Sequence, residues 1–159
     1  MRPPALIALE SIDRAIRQLS EPTGSQEEYG PTKLVYGGPP TPTYRAGNHL
    51  RGIFNPNDPE VVKVREALIG SAFAVAQAHA VLAPINPGLA NVRHVANYWK
   101  HRDQWDQAWA SGSHVQQATM AAMRALGASP PVALGQLEAL VRVVLGCPFE
   151  AGALWRAIS

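Results

Sequence analysis

Apolar residues return every three to four positions through Leu6, Leu9, Ile12, Ile16 and Leu19. That is the rhythm of an amphipathic helix. With Pro3-Pro4 as a start signal, it predicts a helix over residues 4–19. The rhythm is lost between residues 20 and 57, where "EPTGSQEEYGP", "GGPPTPT" and "FNPNDP" are rich in turn-forming residues. Two runs inside it, "TKLVYG" and "TYRAGNHLRGIF", suit strands. The segment therefore reads as an irregular wrap over a helical core, with a short β-ribbon or an arm that orders on a partner as alternatives. Asp58-Pro59-Glu60 then has the form of a helix start: N-cap, Pro at the first position, an acid in the first turn. The helix it opens, residues 58–82, has a narrow polar face of Lys63, Glu66 and Gln77 and is apolar elsewhere, which predicts a central position. Breaks at Pro84, "SGS" (111–113), Gly127, Ser129-Pro130, Gly146 and Pro148 divide the rest into helices near 86–110, 114–126, 130–145 and 148 onward. The pattern predicts an all-α bundle of five to six helices in a single domain, 1–159, with the irregular segment 20–57 packed on it.

Composition narrows the classes. The chain has 159 residues, 47% of them hydrophobic, enough for one sizeable core. Net charge is +2, from 14 Lys+Arg against 12 Asp+Glu, with no basic run. Tight sequence-independent grip on a phosphate backbone is disfavoured, although a small site could hold RNA. Cys147 is the single cysteine, so no intrachain disulfide forms and a reducing cytoplasm is expected. The opening "MRPPALIALESIDR" has too short an apolar stretch for a signal peptide or membrane span.

The densest chemistry lies in "HVANYWKHRDQW", His94 to Trp105. On a helical wheel Val92, Val95, Ala96, Tyr98, Trp99, Trp105 and Trp109 form one arc. Arg93, Asn97, Lys100, Gln104 and Gln107 lie opposite, and His94 and His101 mark one border. Arg102, Asp103 and Asp106 intrude on the apolar arc. Arg102 and Asp106 are four apart and can pair; Arg65 is a second cation for Asp103 or Asp106. Buried charges need partners. The cluster reads either as a polar knot fixing helix register or as a polar pocket under aromatic walls.

"NYWKHRDQW" resembles a motif of uncharacterised bacterial helical proteins that read Asn-Tyr-aromatic-Lys-His-x-(Asp/Glu)-(Glu/Gln)-Trp. The likeness spans residues 91–130 and includes the "ALGAS" turn. It implies a helical fold and brings no activity. A looser resemblance is to HEPN-type helical ribonucleases, which set an Arg a short spacer ahead of a His at a dimer interface and cleave RNA without metal. Arg93-His94 with His101 is the nearest match. It departs in spacing, which turns Arg93 and His101 about 80° apart; Arg102, directly after His101, offers a substitute. The resemblance implies His101 as base and Arg102 or Arg93 as phosphate clamp. That suits attack by a ribose 2′-hydroxyl, with Tyr98 or Trp105 stacking on a base.

Other constellations are weaker. His79 reads as a core residue, His114 as a helix-start residue, and no histidine spacing matches a metal site. Tyr44, Arg45, His49 and Arg51 form a polar loop cluster able to meet an anion. "MAAMRALGASPPVALGQLEALV" has a helix-turn-helix rhythm, but its second helix offers only Gln136, Glu138 and Arg142 for reading bases, so DNA binding is not expected. Cys147 has no sequence-near base to activate it. Three functions remain. The first is a cytoplasmic binding module acting on a protein partner or as a homodimer, in the setting of a defence, toxin–antitoxin or mobile-element assembly. The second is the ribonuclease. The third is a small-ligand pocket walled by Tyr98, Trp99 and Trp105. On the binding readings, His94, Tyr98, Trp105, Asp106 and Arg65 are the contact candidates. No cofactor is called for.

Overall fold

The computed structural model describes residues 1–21, 55–80, 87–104, 113–128 and 133–159. It is all-helical. Six helices and no strands occur among the described residues: α1 (Pro4–Ser20), α2 (Pro59–His79), α3 (Pro87–Lys100), α4 (His114–Ala125), α5 (Gln136–Leu145) and α6 (Ala151–Ile158). The β-ribbon, the Tyr44/Arg45/His49/Arg51 cluster, Trp105, Asp106 and Trp109 lie outside the described residues.

The periodicity of α1 turns Leu9 and Ile16 into the core, and α1 packs on α2 and α6. Helix α2 is central, meeting α1, α3, α5 and α6. Its small residues Gly70, Ala72 and Ala76 flank Phe73 and Ile69, all buried, so neighbours approach closely. On the opposite side of α2 Lys63 is exposed as predicted, together with Val64, Ala67, Ser71, Ala74 and Ala78, whereas Glu66 is buried and Gln77 half-buried. Helix α3 contributes Leu89, Val92, Val95, Ala96 and Tyr98 to the same core. Helix α4 packs chiefly on α3.

Local caps follow the sequence. Asp58 accepts from the Glu60 amide at 2.9 Å, and Ser113 with Gln116 forms a reciprocal capping box. Gly127, at φ 95°, lets the Ala128 amide reach the Met123 carbonyl at 2.9 Å and closes α4.

Three helix ends differ from expectation. Helix α3 stops at Lys100 instead of near residue 110, and residues 101–104 form turns. Arg102 explains the stop: its guanidinium folds back on the Trp99 carbonyl at 2.8 Å, satisfying a group the next turn of helix would have used. The wheel positions assigned to His101, Arg102 and Asp103 therefore do not hold, and Asp103 is exposed. Helix α5 begins at Gln136, after Gly135 at φ 85°, and α6 begins at Ala151 rather than Pro148.

Those two late starts are capped from across the bundle. The Glu66 carboxylate accepts from the amides of Gly135 at 2.7 Å and Leu137 at 2.9 Å. Asp13 accepts from the Ala151 amide at 2.8 Å and from Arg17 Nε at 2.9 Å. Both carboxylates are buried. Each sits where the positive end of a helix favours a negative charge.

Candidate functional site

The structure separates the predicted site residues into four places. Tyr98 is in the core. It is fully buried, and its hydroxyl accepts from Gln136 Nε2 at 2.7 Å. Burial pushes its phenol up to about 12, partly opposed by that hydrogen bond. It presents no ring for a ligand or base to stack on.

Arg65 belongs to the cap network. It is buried, its Nε donates to Glu138 at 2.6 Å, and its Nη1 donates to the carbonyls of Leu19 and Pro56 at 3.0 and 2.8 Å. It closes the last turn of α1 and ties that helix to α2 and α5. Its partner is Glu138, not the expected Asp103.

Arg102 and His101 lie at the end of α3. The Arg102 guanidinium sits 4.0 Å from the centre of the Trp99 ring, a cation–π contact. Trp99 in turn lies against Gly70, where a methyl group would overlap the indole. His101 is half-buried on the turn, its amide donating to the Asn97 carbonyl at 3.1 Å. Trp99 is half-buried. Neither it nor Tyr98 lines the groove described next.

Arg93 and His94 do meet in a concave surface. Helices α3 and α4 leave an open groove of about 410 Å³ lined by Ala90, Arg93, His94, Asn97, His114, Ala118 and Thr119. Positions 90, 93, 94 and 97 share one face of α3 because they are three and four apart. His94 Nδ1 lies 3.1 Å from the hydroxyl of buried Thr119, which fixes the imidazole against α4. Burial lowers the His94 pKa below its ordinary 6.5, which favours the neutral ring. Arg93 reaches the Ala80 carbonyl at the end of α2 at 3.0 Å, and Asn97 Oδ1 accepts from Gln77 at 3.1 Å. Both were expected on a solvated side; each is half-buried instead. His114 is exposed at the first position of α4, beside the capping serine.

Asn97, His114 and Thr119 were not assigned to a site by the sequence. Asn97 shares a face of α3 with His94, whereas the meeting of His114 and Thr119 with His94 depends on the α3–α4 pairing. His79, expected in the core, is exposed, with its ring 4.9 Å from that of Trp155. Glu66, expected on a polar face, is a buried cap.

The groove offers one guanidinium and two imidazoles over small apolar groups, and among the described residues no Asp or Glu lines it. Among the described residues no group of three or more His, Cys, Asp or Glu is arranged to hold a metal ion. No described helix is long and apolar enough to cross a membrane. Comparison with family models, with curated proteins and with solved structures finds no match to this chain.

Proposed function

We propose that the protein is a helical binding module and that the α3–α4 groove is its docking surface. The observation that carries this reading is the composition of the groove. Ala90, Ala118 and Thr119 offer a small floor, and Arg93, His94 and His114 surround it with no carboxylate among the described lining residues. The matching partner is an amphipathic helix from another protein, with aliphatic side chains facing the floor and carboxylates at its flanks. A helix laid in the space between two others is a recurrent mode of recognition. A cytoplasmic place belongs to the same proposal and rests on the single cysteine; a place within a larger assembly rests on the irregular composition of residues 20–57.

A photocrosslinking residue at Ala118 tests it, with one at Lys63, on the outer face of α2, as control. The reading expects one discrete adduct from position 118, absent from position 63, whose partner peptide is helical and acidic. It also expects Ala90→Trp to remove that adduct while the helical circular dichroism is unchanged. Equal labelling from both positions, or from neither, refutes it. An adduct with a second copy of the chain replaces the foreign helix with a homodimer.

The ribonuclease reading has one supporting observation: Arg93, His94 and His114 face a common groove, where burial favours the neutral form of His94. Against it, Arg93 and Arg102 both donate to main-chain carbonyls, and His101 does not line the groove. Incubation with mixed RNA in EDTA separates the two assignments. Cleavage lost in His101→Ala supports His101 as base, whereas cleavage lost only in His94→Ala moves the base to the groove.

A further inference from the structure

A second cavity, of about 370 Å³, lies on the other side of the bundle, between α1, α2 and α5 and the approach to α6. Ile16, Ile69, Val141 and Phe149 form its floor, all buried core residues. Among the described residues Arg17, Arg65 and Arg142 line it, with Glu138 as the one carboxylate. Two of these guanidiniums face carboxylates, Arg65 on Glu138 and Arg17 on Asp13, with Glu150 and Glu21 also within electrostatic reach of Arg17.

The three arginines are not equivalent. Arg65 already serves Glu138 and two carbonyls, so this pair is internally neutral. Arg17 holds Asp13, yet its side chain is 66% exposed, leaving donors toward solvent. Arg142 is exposed and makes no hydrogen bond or ion pair among the described residues. Ser20 and Asn57 add polar groups to the lining. The cavity thus combines an apolar floor with two cations that retain donor capacity. Its size falls within the usual range for small-molecule sites.

We propose that this cavity binds a small amphipathic anion: a short aliphatic chain seated on Ile16, Ile69, Val141 and Phe149, its carboxylate or phosphate head held by Arg142 and Arg17. A guanidinium meets either head group with paired N–H donors. This is a site separate from the docking groove and does not depend on it.

The test is calorimetric titration of the full chain with octanoate, octyl phosphate, 1-octanol and inorganic phosphate. The proposal expects the two amphipathic anions to bind, and the alcohol and bare phosphate to bind at least about tenfold more weakly. It expects Arg142→Gln, and separately Ser20→Glu, to weaken the anions by about tenfold or more with the fold intact by circular dichroism. The stronger of the two amphiphiles identifies the head group. Equal binding of 1-octanol would reduce the cavity to unspecific apolar uptake. Equal binding of inorganic phosphate would remove the role of the floor. Unchanged affinity in both variants, or no binding at millimolar ligand, overturns the proposal.

Discussion

Trp99 lies between a glycine on α2 and a guanidinium from the turn that follows its own helix. Gly70 leaves the space the indole fills, and Arg102 covers the ring at 4.0 Å. Gly70→Ala places a methyl inside that indole, so Trp99 or the α2–α3 spacing must shift. Overpacking of this kind costs about 1–3 kcal/mol. Urea unfolding should show the loss, and the near-ultraviolet circular dichroism of the tryptophans should change with it; an unaltered spectrum would mean the indole does not rest there. His94 gives the residue scale a pH dependence. Its folded pKa is lowered, so between that value and 6.5 the unfolded chain holds more proton than the folded one. Its contribution to stability is full above 6.5 and falls as pH drops through that window. Urea midpoints taken from about pH 5 to about pH 7.5 should rise with pH, and His94→Gln should flatten the rise. An identical slope in the variant would place the titration elsewhere. At this scale the sequence was legible for Tyr98, Val92 and Val95, whose spacing alone turns them inward. It was not legible for Arg102, because the wheel assumed a helix that Arg102 itself helps to end.

The six helices differ in how they are capped. Asp58 and the Ser113–Gln116 box lie beside the ends they serve, so spacing in the sequence exposes them, as it does Gly127 and Gly146. The N-termini of α5 and α6 have no side-chain cap of their own and take Glu66 and Asp13 from other helices. That is why the sequence pattern alone puts their starts too early and Glu66 on a polar face: a single helical pattern does not reveal an acceptor some seventy residues away. Glu66→Ala leaves the Gly135 and Leu137 amides without their acceptor. The expected loss is about 2–4 kcal/mol. Glu66→Gln keeps one oxygen and should lose roughly half as much. Chemical denaturation measures both. If Glu66→Ala is as stable as wild type, the carboxylate does not cap α5.

The bundle as a whole was legible because its core positions recur with the helical period and its breaks carry Gly and Pro. The two cavities were not, since each depends on how separate helices pack: consecutive α3 and α4 for the groove, and helices far apart in sequence for the second cavity. The groove joins residues 90–97 to 114–119, and the second cavity joins residues 16–20 to 138–149. Only their charge was visible in advance, as arginines scattered along a chain with no basic run. The cross-bundle caps also bear on the order in which the molecule assembles. A ribosome delivers residues 13 and 66 well before residues 135–151. The first two helices can meet while the rest is still being made, and their pairing brings into place the acceptors that the last two require. Short helices gain little from their own propensity. Helices α5 and α6, of 10 and 8 residues, are therefore finished by a template already present. The C-terminal half depends on the N-terminal half for more than a surface to pack against: it borrows the charges that start its helices.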